Sequence, residues 1–209
     1  MITVENNKTV SRPRGRPRAF DRDEVLEKAA ETFWRLGYEG ASISDLTAAM
    51  GITPQSLYAA FTSKADLYRE ALAWYQAHIG ASTARALEES DVVSALARVL
   101  RESAREFTRP GRPHGCMVST AVLTCAVENE PVAHHVSSLR GETLDALKAR
   151  IELGVAEGQL KGATNAAALA RFVGAMIQGM SVQAQDGASR ATLLEVADIA
   201  IAEIERHRL

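Results

Sequence analysis

The sequence predicts an all-α protein of about nine helices. Three observations lead there. Alanine is abundant, aromatic residues make up only 5% of the chain and prolines number six, a balance that favours helices. Ser, Thr, Asp and Asn recur just ahead of apolar stretches, where helix caps belong. Within those stretches apolar residues return at spacings of three and four, and no stretch alternates persuasively as a strand would. With 209 residues, the chain can bury a sizeable core, in one large domain or in a small and a medium one.

Taken in order, residues 1–19 read as a flexible basic arm, polar and carrying Pro13 and Pro17 in the run RPRGRPR. Residues 1–20 hold Lys8, Arg12, Arg14, Arg16 and Arg18 against Glu5 alone, a net +4; the whole chain is −2, so the rest carries −6. Only the arm is directed at a polyanion. Arginines flanked by Gly and Pro suit a narrow minor groove; a solubilising tail is the alternative.

The first helix starts at Asp21, with Glu24 three residues on as a capping box, and stops at Gly37. Leu26, Ala29, Ala30, Phe33 and Leu36 form its core stripe, extended by Trp34 and Tyr38. Ser42 and Asp45 open a second helix, from about Ile43 to Met50. Gly51 follows, able to take the positive φ of a helix C-terminus. Thr53 then caps a third helix with Pro54 at its first position, running to Phe61. Ser63 starts a fourth that reaches about Gly80. Beyond it come helices over residues 91–108, 116–127, 130–157, 166–185 and 191–206. The segment Cys116–Val127 is apolar nearly all round and is expected to be a buried helix. The most apolar long stretch, Ala166–Val182, is broken by Arg171 and Gln178 and is too polar for a membrane span. No N-terminal apolar segment follows the arm, so no signal peptide is expected.

Two short helices joined by a glycine turn over Ser42–Lys64 make a helix-turn-helix, whose second helix enters the DNA major groove. Residues 42–64 hold one basic residue, Lys64, and one acidic, Asp45. The reading unit is therefore nearly uncharged, and the arm supplies the salt-dependent grip. Gln55 can bond adenine through two hydrogen bonds, hydroxyls serve several bases, and Lys64 is a point charge for phosphate.

Residues 20–68, FDRDEVLEKAAETFWRLGYEGASISDLTAAMGITPQSLYAAFTSKADLY, resemble the DNA-binding head of tetracycline-repressor (TetR/AcrR) family transcriptional regulators. Gly51-Ile52-Thr53, Leu57-Tyr58, Phe61, Ser63-Lys64 and Leu67 carry the resemblance. Ala59 and Ala60 depart from it, since many members have an imidazole or larger aromatic there. The resemblance implies a helix-turn-helix DNA-binding domain over residues 20–66 and a ligand-binding and dimerisation domain over 67–209. It implies DNA contacts at Thr53, Gln55 and Ser56 (bases and phosphates), at Tyr58 and Lys64 (backbone) and at Ser42 and Ser44 (the opposite strand), besides Arg14, Arg16 and Arg18 of the arm. Two bland alternatives stay open: Thr53 as a cap alone, and Tyr58 packed on the first helix.

The resemblance further implies a cytoplasmic, nucleoid-associated repressor. It would bind a near-palindromic operator as a homodimer through its last two helices and be released by a small-molecule inducer. Tyr75, Phe107, Cys116, Met117, Leu123, Leu139, Phe172, Met176 and Gln178, with Val136, are the candidates for the inducer pocket. His114, Cys116, Cys125, His134 and His135 lie within 22 residues. Soft thiols and imidazoles make a thiol- or metal-responsive regulator the alternative. Their spacing matches no standard metal motif, and no cofactor loop is present. A cysteine-dependent enzyme finds no support from an oxyanion signature or paired carboxylates. A DNA binder without a ligand is the remaining alternative.

Overall fold

The computed structural model describes residues 20–209. Nine α-helices lie among the described residues: α1 (Arg22–Gly40), α2 (Ile43–Met50), α3 (Pro54–Ala60), α4 (Lys64–His78), α5 (Ala81–Leu87), α6 (Val92–Phe107), α7 (Glu130–Ala156), α8 (Ala166–Gln185) and α9 (Arg190–Glu205). A short 3-10 turn, Val127–Asn129, leads into α7. The sole β-pairing among the described residues is one isolated bridge, Leu160 to Arg208.

Local chemistry sets most helix starts. The Asp21 carboxylate accepts from the amides of Asp23 and Glu24. Ser42 and Asp45 form a reciprocal capping box on α2. Thr53, Ser63, Asp91, Asn165 and Ser189 each accept an amide of the first turn they precede. Each satisfies a donor that the helix cannot. Gly51 ends α2 in the left-handed region at φ 67°.

Two apolar clusters divide the interior. The first joins α1 to α4 through Val25, Ala29, Phe33, Leu46, Leu57, Phe61, Leu67, Tyr68 and Leu72, and extends to Met117, Val132, Val136 and Leu139. The second fills the space between α6, α8, α9 and the C-terminal half of α7, around Leu96, Leu100, Leu147, Ile151, Val173 and Ile204. Cys116 packs against both.

Three expectations need correction. Residues 116–127 are not a helix; turns and bends occupy them, Leu123 is 68% exposed and Val127 78% exposed. Arg140 of α7 takes the carbonyls of Val118 and Ala121, at 3.2 and 2.9 Å. Arg140 thereby pins this stretch as a turn, in which the Val118 carbonyl also accepts from the Ala121 amide at 3.4 Å, and β-branched Val118, Thr120, Val122 and Thr124 resist a helix. Val122 sits at φ 49°. The fourth helix stops at His78, and α5, which begins without a side-chain cap, takes the missing place in the count. In α1, Val25 is buried while Leu36 is 44% exposed. Gly37, at φ 72° and ψ 169°, interrupts the helical backbone there.

Candidate nucleic-acid interface and internal cavity

The helix-turn-helix exposes one polar face. Leu57 turns inward and is fully buried. Three positions around it, Thr53, Gln55 and Tyr58, are exposed, and Ser56 is half-buried. Tyr58 is 52% exposed, so it does not pack away against α1. The Thr53 hydroxyl accepts from the Ser56 amide at 3.1 Å and pairs with the Ser56 hydroxyl at 3.0 Å. It caps and faces solvent at once. Ser42 and Ser44 are exposed at the start of α2. Two hydrogen bonds from Ser42 hold the Asp45 carboxyl below its ordinary value, so Ser42 is engaged in its own cap. Lys64 lies with its ammonium 4.7 Å from the Tyr38 ring centroid. Burial lowers its pKa, against the opposing charge of Glu39. Arg14, Arg16 and Arg18 lie outside the described residues.

Below the head, α4, α5, α6, α7 and α8 line a partly open cavity of about 140 Å³, room for roughly ten waters at about 10–15 Å³ each. Tyr75, Phe107, Cys116 and Gln178 line it, as do Ser103, Glu106, Val118, Ser119, Arg140 and Thr143. The other candidates lie elsewhere. Met117 is buried and borders an outer groove beside Gly37. Leu139 and Val136 are buried in the first cluster, and Phe172 and Met176 pack on the second. Leu123 is too exposed to line an interior site. Tyr75 donates to the Cys116 sulfur at 3.5 Å, and the Val118 amide does so at 3.4 Å. Burial first, then Cys116, push the Tyr75 phenol well above its ordinary pKa. The phenol therefore stays protonated and acts as a donor.

Sequence reading missed Arg140, Glu106 and Ser103. Charged and hydroxyl residues on helices read as solvent-facing, and only tertiary packing turns them inward. The Cys/His set of the alternative reading does not come together as a metal site, and both cysteines are free thiols. Among the described residues no three His, Cys, Asp or Glu side chains form a group able to hold a metal. No helix of the described residues is long and apolar enough to cross a membrane.

A helix-turn-helix head on a cavity-bearing helical body defines a class of DNA-binding regulators. Residues 25–71 match the model of bacterial regulatory proteins of the tetR family, and residues 91–197 match the tetracyclin repressor-like C-terminal domain. The chain is 34% identical over 198 residues to the HTH-type transcriptional repressor ComR of Escherichia coli (strain K12), covering 94% of each chain. It is 29% identical over 194 residues to the repressor BdcR of the same organism, covering 92% of this chain and 93% of BdcR. Its fold matches a cysteine mutant of the TetR-family regulator CifR complexed with 26-bp operator DNA, at a TM-score of 0.86 and 43% identity, covering 90% of this chain and 98% of CifR. The chain belongs to the tetR family of bacterial regulatory proteins. Its homologues and fold are those of transcriptional regulators, not of enzymes.

Proposed function

We propose that the protein is a repressor that binds a near-palindromic operator as a homodimer and is released when a small molecule enters the cavity below its head. The observation that carries this reading is the likeness to operator-bound CifR across nearly the whole of both chains. Head and body divide near residue 66. Thr53, Gln55 and Ser56 address bases, while Tyr58, Lys64, Ser42 and Ser44 hold phosphates. Arg14, Arg16 and Arg18 add the salt-dependent grip. Two heads related by a two-fold axis would meet half-sites about one DNA turn apart, on the order of 34–36 Å.

The dimer face we assign to α8 and α9. Phe172, Met176, Leu194 and Val196 are only half-buried there. Val182 and Ile199 are 43% and 73% exposed. Apolar side chains left in water on two adjacent helices suit a four-helix bundle with a second copy. Footprinting on the DNA flanking the protein's own gene, followed by a screen for compounds that release it, tests the reading. A chain that protects no duplex there defeats it.

A second reading is supported by Cys116. Its sulfur receives two hydrogen bonds and lies on the cavity wall, so release by thiol-reactive compounds is a form of the same control. Cys116→Ser would then bind the operator normally but no longer be released by N-ethylmaleimide. Equal release of wild type and variant refutes it.

A further inference from the structure

We propose that Glu39 is a positioning residue that couples the cavity wall to the DNA-reading helices through segment 114–129. This deepens the reading of the cavity as the effector site and rests on it.

The segment touches both ends of the protein. Near its start, Cys116, Val118 and Ser119 line the cavity. Near its end, the Ala126 amide and the Asn129 side-chain amide both donate to one Glu39 oxygen, at 3.1 and 2.9 Å. The neighbouring Tyr38 hydroxyl donates to the Asn129 side-chain oxygen, Oδ1, at 3.4 Å. Glu39 stands three residues ahead of Ser42, the cap of α2. The Tyr38 ring underlies Lys64, the first residue of α4. Whatever moves Asn129 and Ala126 therefore moves the stretch from which the helix-turn-helix begins.

Gly37 makes that movement possible. Its backbone is non-helical inside α1, so the main chain can pivot there, with the last turn, Tyr38–Gly40, held to the body of the helix by the buried Tyr38 ring on Phe33 and Tyr68. The segment is tied on both sides of this break. Its start is held to the body of α1, where the Trp34 indole donates to the His114 carbonyl at 3.2 Å. Its end is held to the last turn by Glu39. A guest that pushes on Cys116 or Val118 works these two ties against each other across Gly37. Glu39 is exposed, so its hydrogen bonds can exchange for hydrogen bonds to water. The tie can therefore break and re-form without unfolding either apolar cluster.

The route differs from one through α4, which also lines the cavity with Tyr75 and Gln76. Coupling between two sites is reciprocal, so DNA must act on the cavity wall if the wall acts on DNA. The test measures deuterium uptake in peptides spanning 114–125, which exclude Glu39's own partners, with and without the footprinted operator duplex. Wild type, Glu39→Gln, Glu39→Ala and Asn129→Ala are compared, with duplex affinity measured on the same samples. Glutamine keeps an oxygen acceptor and so conserves the tie; alanine removes it.

Operator should slow uptake in wild type and Glu39→Gln by at least about fivefold, the lower end of ordinary allosteric coupling. Glu39→Ala and Asn129→Ala should lose that protection while remaining folded. Equal protection in the alanine variants overturns the proposal in favour of α4. Absent protection in wild type that binds the duplex overturns it as well. Failure of wild type to bind the duplex counts against the functional reading instead.

Discussion

Ile199→Ala tests the proposed dimer face without disturbing the fold. Ile199 is 73% exposed on α9, so its truncation leaves the folding free energy of one copy within about 0.5 kcal/mol, as for surface positions generally. If a second copy covers it, the loss is large. Ile→Ala removes three carbon groups at about 0.8 kcal/mol each, or about 2.4 kcal/mol per copy and about 5 kcal/mol for a symmetric pair. Full coverage is assumed, so this is an upper bound; it corresponds to roughly three orders of magnitude in the dimer dissociation constant. Sedimentation velocity over a nanomolar-to-micromolar range reads it directly, with thermal melts as the control on folding. A change below about threefold in the dissociation constant, with an unaltered melt, would refute α9 as the interface.

Other expected outcomes follow from the head and the body. Lys64→Ala should weaken operator binding and shallow the salt slope of log K by about one unit, the share of a single phosphate contact; an unchanged slope removes Lys64 from the backbone contacts. Gly51→Ala has open space around the added carbon but a backbone at φ 67°. Melts should show about 1 kcal/mol of destabilisation, and an unchanged melting temperature would contradict the strain. Asp91 accepts two hydrogen bonds from Arg208, at 2.9 and 3.1 Å. These hold its carboxyl well below the usual range, helped by the Ser94 amide that it caps. A depressed folded-state pKa stabilises the protein above the unfolded carboxylate value, near 4, and the effect fades as pH falls through the folded one. Asp91→Asn should therefore lower the melting temperature at pH 7 and flatten its fall in acid. Parallel acid limbs for variant and wild type would sink that assignment.

Helix starts were legible because caps are local chemistry: Ser42 needs only Asp45, and Asn165 only the amide of Ala168. Segment 116–127 was illegible for the opposite reason. Its apolar run reads as a buried helix, but Arg140, on a separate helix, claims two of its carbonyls. The helix Ala81–Leu87 escaped notice because it lacks a side-chain cap. In the cavity, Tyr75, Phe107, Cys116 and Gln178 could be named in advance. Leu123 could not be excluded, since its exposure follows from the missing helix. Arg140 was invisible as a wall residue, because a lone arginine on a long helix carries no signal that it faces inward.

The hydroxyl pair at the start of α3 bears on how such a protein could change its DNA preference over generations. Thr53 accepts the Ser56 amide as a cap, so under the proposed base contacts most replacements at position 53 would alter readout and weaken the helix together. Ser56 is bound up in the same pair. Gln55 stands exposed beside them and contributes nothing to the cap. If these positions read bases as proposed, new operator preferences can arise at position 55 at little cost to the fold, whereas a change at position 53 also costs α3 its cap.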